Sequence, residues 1–173
     1  MANRVYITNA PRPLKALANL IIWGGLIGFF IWTYQKNQIE PSIDGGILME
    51  TIITDWKKDM NSAGLDADAL IMRVDRIKIV KSIPTGFLNS TSTDHVIGRS
   101  DHGTRTIWIL ERSYESYQLK ALVYHELGHY LFDLDHIGDG LIMSVEIKEE
   151  PGYYKSNWNS ILPIYISKCK TAR

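Results

Sequence analysis

The hydrophobic and polar positions divide the chain into two unequal parts. Ala16 to Tyr34 reads ALANLIIWGGLIGFFIWTY and carries no charge. A helix of that length spans ~28 Å, close to the ~30 Å hydrocarbon thickness of a bilayer. Trp32 and Tyr34 stand at its distal end, where amphipathic rings favour the interface. Gly24 and Gly28 form a GxxxG, a weak signal for close helix contact and more simply a pair of tolerated glycines. The run is too long for a cleavable signal peptide, and Thr33-Tyr34-Gln35-Lys36 offers no small-x-small site. The pattern therefore predicts an uncleaved transmembrane helix over 16–34.

Beyond it the periodicities are those of a folded domain. Residues 35–46 read as a linker broken by Pro41 and Gly45-Gly46, and 47–173 as one domain. Ile47 to Ser62 predicts an amphipathic helix with Leu48, Ile52, Trp56 and Met60 on its apolar stripe. Arg76 to Ile83 alternates apolar and basic residues and predicts a half-exposed strand ended by Pro84. A polar loop follows over 84–95, then a short strand at Val96-Ile97-Gly98 and a second good strand over Thr104 to Leu110. Tyr117 to Leu134 predicts a buried helix, and Trp158 to Lys168 a closing helix marred by Pro163. Helices around a small sheet describe an α+β domain.

Charge refines this picture. Lys+Arg and Asp+Glu number 19 each, so no basic excess marks a nucleic-acid binder. The balance is uneven along the chain. Residues 1–15 carry Arg4, Arg12 and Lys15 and no acid, while 35–50 carry Lys36 against Glu40, Asp44 and Glu50. The positive-inside rule places the tail 1–15 in the cytoplasm and the domain across the membrane, in a periplasmic or outer-face location. The single cysteine, Cys169, excludes an internal disulfide.

The chemistry lies in His125-Glu126-Leu127-Gly128-His129, an HExxH inside the predicted helix. Histidines at i and i+4 share a helix face and can converge on one Zn²⁺ at ~2.0–2.1 Å. Glu126 is offset by one residue, so it suits a general base acting on the zinc-bound water rather than a ligand. A catalytic zinc takes three protein ligands. His136 and Asp135 both fall where the helix should end, and imidazole is the commoner ligand, so His136 leads and Asp135 is the alternative. Three of the five histidines thus lie within His125–His136.

His125 to Ser144, HELGHYLFDLDHIGDGLIMS, resembles the metzincin-type zinc metallopeptidases, whose pattern is HExxHxxGxxH or HExxHxxGxxD followed by a methionine turn. Phe132 stands at the family glycine, and the third histidine is one residue late. In strict register the ligand is Asp135; with one extra residue it is His136. The chain is most similar to a group of small zincin-like proteins with HELGH, a histidine at this later spacing and a trailing Ile-Met. The resemblance implies a zincin-like domain and a zinc-dependent endopeptidase acting on a peptide or protein. It also implies that Met143 forms an apolar floor under the metal. Thr104–Leu110 would receive substrate by strand addition if it is an edge strand; an internal strand is equally open.

Other residues carry weaker expectations. His95, His102 and Asp101 could form a second metal site but read more simply as solvated loop residues. Tyr153 and Tyr154 could stabilise an oxyanion or merely pack. One of Asp133, Asp135 and Asp139 could orient a ligating histidine. Gly128 costs ~1 kcal/mol in a helix interior, for which packing against a strand is the expected reason. Two alternative functions stand beside the endopeptidase: a non-catalytic, membrane-tethered zinc-binding or interaction module, and a regulatory metallopeptidase of the repressor-cleaving type, which HELGHYL also resembles.

Overall fold

The computed structural model describes residues 22–29, 41–84 and 97–172. The chain divides into two units, Met1–Ile39 and Glu40–Arg173. In the first, residues 22–29 are helical (α1), and Ile22, Trp23, Leu26, Ile27 and Phe29 are exposed. The remainder of the expected membrane helix and the tail 1–15 lie outside the described residues. Among the described residues no helix is long and apolar enough to cross a membrane.

The second unit is α+β. Its elements run β1 (Ser42–Ile43), α2 (Gly46–Ser62), α3 (Ala67–Ile71), β2 (Arg76–Val80), β3 (Gly98–Asp101), β4 (Thr106–Leu110), α4 (Ser116–Phe132) and α5 (Tyr153–Thr171). The four strands form one sheet in the order β1-β2-β4-β3. β1, β2 and β4 are parallel, and β3 runs antiparallel to β4 at the edge. Period-two alternation explains the faces. Ile77 pairs with Ile107 and Ile79 with Ile109 on the side facing the helices, while Lys78, Trp108 and Arg99 share a row on the other.

Helix α4 is the centre of the core. Twelve of its residues are buried, from Leu119 to Phe132, which is why its apolar residues fall on most faces. α2 lays Met49, Ile52, Ile53, Trp56 and Met60 toward it, and α5 lays Tyr154, Trp158, Ile161, Tyr165 and Cys169. Polar bonds tie the three helices together. Lys120 of α4 pairs with Asp55 of α2 at 2.7 Å and sits over the Trp158 ring of α5 at 4.9 Å. Tyr165 Oη donates to the Tyr124 carbonyl at 2.8 Å.

Several elements depart from the expectations. Ile52, Trp56 and Met60 are buried as expected, but Leu48 is 45% exposed and the fully buried Met49 takes its place at the start of the stripe. β1 lies in the stretch expected to be linker, because two residues suffice to pair with Arg76 and Ile77. The short strand expected at 96–98 is instead Gly98–Asp101, set by pairing with β4 rather than by apolar content. β4 starts at Thr106 because residues 102–105 turn, with the Asp101 carboxylate accepting from the Gly103 and Thr104 amides. It is an internal strand; among the described residues the edge beside it is β3. α3 was not expected from the sequence and is capped by Asp66, which accepts from the Ala69 amide.

α5 begins at Tyr153 and runs through Pro163 without ending. Proline there removes a helical N–H, yet Pro163 is exposed and lies outside the hydrophobic core. Pro163→Ala is therefore expected to stabilise the protein by about 1–3 kcal/mol, measured as a raised midpoint of denaturant unfolding; a lowered midpoint would contradict this account of α5.

Candidate metal centre

The site is built at the C-terminal end of α4. His125, Glu126 and His129 all lie on this helix, and their backbone is fixed by its burial. The helix continues through Phe132 and ends on Asp133, which adopts the left-handed conformation at φ 53°, ψ 39°. Aspartate tolerates this region better than most residues. The Asp133 amide donates to the His129 carbonyl at 3.1 Å and the Leu134 amide to the Gly128 carbonyl at 3.3 Å. The turn expected at the family glycine position thus occurs one residue later than Phe132.

That displacement returns the chain onto the helix. Nε2 of His129 lies 3.0 Å from Nε2 of His125 and 3.1 Å from Nε2 of His136. Among the described residues, these three histidines form a group whose ring nitrogens could hold one metal ion. Asp135, the alternative third ligand, is exposed and lies outside the group.

The hydrogen bonds set the chemistry of the rings. Nδ1 of His125 donates to the Ile142 carbonyl at 2.8 Å, and Nδ1 of His129 to the Leu134 carbonyl at 2.6 Å. A carbonyl only accepts, so each Nδ1 carries the hydrogen and each Nε2 presents a lone pair. Burial pushes the His125 pKa down to about 4, and burial likewise lowers that of His129. Both rings are neutral at pH 7 and face each other with acceptors only. Two lone pairs 3.0 Å apart repel, and a cation between them removes the repulsion. Ligands ~2.05 Å from an ion at tetrahedral angles stand about 3.3 Å apart, near the observed spacings. The donor set therefore fits a divalent metal.

Met143 lies in a turn that serves the same ring. The Ser144 amide donates to the Leu141 carbonyl at 3.2 Å, and the Leu141 amide to Ser144 Oγ at 2.7 Å. This closes residues 141–144 and holds the Ile142 carbonyl against His125. Met143 itself is buried under α4 at Gly128. A Cβ at Gly128 would lie 2.6 Å from Met143 Sδ and 3.1 Å from Tyr165 Cε2. The glycine thus makes room for the methionine turn and α5, not for a strand as expected.

Glu126 is 4% exposed, and burial pushes its pKa up to about 8. Its carboxyl lies against Gly98 of β3, where a Cβ would fall within 3.0 Å of Cγ and Cδ.

The remaining expectations resolve into packing. Tyr153 Oη donates to the Gly140 carbonyl at 3.1 Å, and Tyr154 Oη accepts from the Lys148 amide at 3.1 Å. Asp139 pairs with Lys148 at 2.7 Å. Among the described residues, the Nδ1 atoms of His125 and His129 are held by backbone carbonyls rather than by an aspartate. His102 stacks on Tyr130 at 4.6 Å, and Asp101 caps its own turn, so neither joins a second metal group among the described residues. His95 lies outside them. Sequence reasoning missed the Ile142 and Leu134 carbonyls, which carry no residue-type signal. It also passed over Gly98, whose signal was a glycine interrupting a strand.

No protein-family model, no curated protein and no solved structure matches the chain.

The raised Glu126 pKa has a sign that can be measured in metal-free protein. The folded state holds the proton more tightly than the unfolded state, so its stabilising effect is complete below about 4.5 and is lost as pH rises through about 8. The lowered His125 acts oppositely: its stabilising effect is present above 6.5 and lost as pH falls toward 4. Between pH 6.5 and 8 the Glu126 contribution stands apart. Metal-free protein is expected to lose about 2 kcal/mol across that range, at ~1.4 kcal/mol per pH unit, and Glu126→Gln to abolish the loss. Identical pH profiles for the two proteins in urea unfolding would refute the assignment.

Proposed function

We propose that the protein is a zinc-dependent endopeptidase tethered to a membrane by residues 16–34, with the amino-terminal tail cytoplasmic and the domain on the opposite side. The observation that carries the enzymatic reading is the convergence of three imidazole Nε2 atoms next to a buried carboxyl on the same helix turn. Three imidazole nitrogens would leave a place for water beside the ion, the donor count of a catalytic rather than a structural zinc.

When bound, zinc would supply a Lewis acid for the scissile carbonyl and lower the pKa of the attacking water toward about 7. His125, His129 and His136 hold the ion through Nε2. Ile142 and Leu134 keep two of those rings in register. Glu126, kept ionised by the charge of a bound dication beside it, would take the proton of the water on its carboxylate and return it to the leaving amine nitrogen. A closed structural site has no use for such a group. An extended peptide would pair with β3, the edge strand beside Glu126, in place of the internal β4. The membrane reading is supported by the uncharged run Ala16 to Tyr34, its helical residues 22–29 and the basic residues Arg4, Arg12 and Lys15 before it.

The test is elemental analysis of zinc on the full chain purified without chelator, followed by a peptide-library digest. Wild type is expected to carry about one zinc and to cleave peptides until chelated. Glu126→Gln should keep its zinc and cleave slower by a factor of about 10²–10⁴. His136→Ala should fall well below one zinc per chain; full zinc content there would favour the repressor-cleaving type, whose third ligand lies elsewhere. Zinc-loaded wild type without cleavage would leave the non-catalytic module.

A further inference from the structure

Gly98 is an unusual residue for its position. It begins β3 and belongs to the sheet row that faces the helices, directly paired with Ile109, which in turn pairs with Ile79. The row otherwise uses large β-branched residues, as a buried strand face does. Glycine weakens a strand by leaving more conformational entropy to lose. Its backbone gives no reason for it, because Gly98 is absent from the residues with positive φ. Space gives the reason. The three atoms nearest to an added Cβ all belong to Glu126: it would collide with Oε1 and reach Cδ at 2.9 Å and Cγ at 3.0 Å.

We propose that Gly98 is a positioning residue for Glu126: the bare backbone of β3 is the seat on which the carboxylate rests, and any side chain there pushes it off its place at the metal centre. The inference rests on the reading of Glu126 as the proton-transferring group. Oε1 is the far end of a flexible chain, so an alanine at 98 displaces the carboxylate rather than the strand. None of these three contacts is to His125, His129 or His136, so zinc binding is expected to persist. The consequence is separable: fold and zinc persist while proton transfer suffers. A misplacement of ~1 Å can cost about 10²-fold in rate.

Two readouts on the full chain test this. In steady-state kinetics with a fluorogenic peptide taken from those the wild type cleaves, Gly98→Ala should lower kcat ten- to hundredfold at unchanged KM and zinc content. The second readout is independent of activity. The Tm effect of Gly98→Ala is measured in wild type and in Glu126→Ala at equal zinc concentration. With Glu126 removed, alanine should raise Tm by about 2–4 °C, as expected for replacing a strand glycine; with Glu126 present the rise should vanish or reverse. Folding only in the Glu126→Ala background would be the same coupling in extreme form. Equal Tm effects in both backgrounds, misfolding in both, or an undiminished kcat overturns the proposal. If wild type cleaves nothing, the endopeptidase reading fails, and the Tm comparison still decides whether Gly98 seats Glu126.

Discussion

Two hydrogen bonds from imidazole to backbone govern the centre. By donating Nδ1–H to the Ile142 and Leu134 carbonyls, His125 and His129 are held in one tautomer with their lone pairs inward. Everything nearby serves that arrangement. The turn over 141–144 exists to present one carbonyl, the left-handed Asp133 brings back the other, and Gly128 lets Met143 pack close enough for both. The arrangement is costly without a cation, since the Nε2 acceptors of His125 and His129 are forced together at 3.0 Å. The fold can sustain it because α4 is gripped on several sides, by α2 and α5 and by the sheet.

That grip is largely aliphatic and aromatic, with polar groups spent at the helix crossings. Lys120 illustrates the economy: one ammonium meets Asp55 on one helix and the Trp158 face on another. Tyr165 does the same from the opposite direction, donating to Tyr124 and accepting from Trp56 Nε1 at 3.4 Å. The ligand-bearing helix is therefore immobilised by contacts that have nothing to do with the metal, and the donor atoms inherit their precision from it.

What could be read in the sequence follows from what side-chain types encode. HExxH at helical spacing led to His125 and His129, and the surplus of histidine near the helix end led to His136, which the structure brings to the other two. The alternation in Arg76–Val80 and the apolar run around His125 located β2 and α4. Features set by backbone alone were illegible. Polar β3 has no hydrophobic signature and exists because β4 offers it hydrogen bonds. β1 is two residues long and sits among breakers. Edge and interior positions in a sheet are decided by long-range order, so β4 could not be placed from its own residues. The orienting carbonyls of Ile142 and Leu134 belong to a chemical group that every residue carries.

The late third histidine has a bearing on how such clusters are compared. Counted from the second histidine, His136 is out of register with the pattern HExxHxxGxxH. Counted from the residue that reverses the chain, it is in register: three positions separate Asp133 from His136, as three separate the glycine from its histidine in that pattern. Set beside that pattern, the helix runs one residue further and the return segment moves with it, like a bracket slid along a rod. In this geometry the spacing from the chain reversal is kept while the spacing from the second histidine is not, so a ruler anchored on the helix would miss a histidine that the fold still brings to the other two.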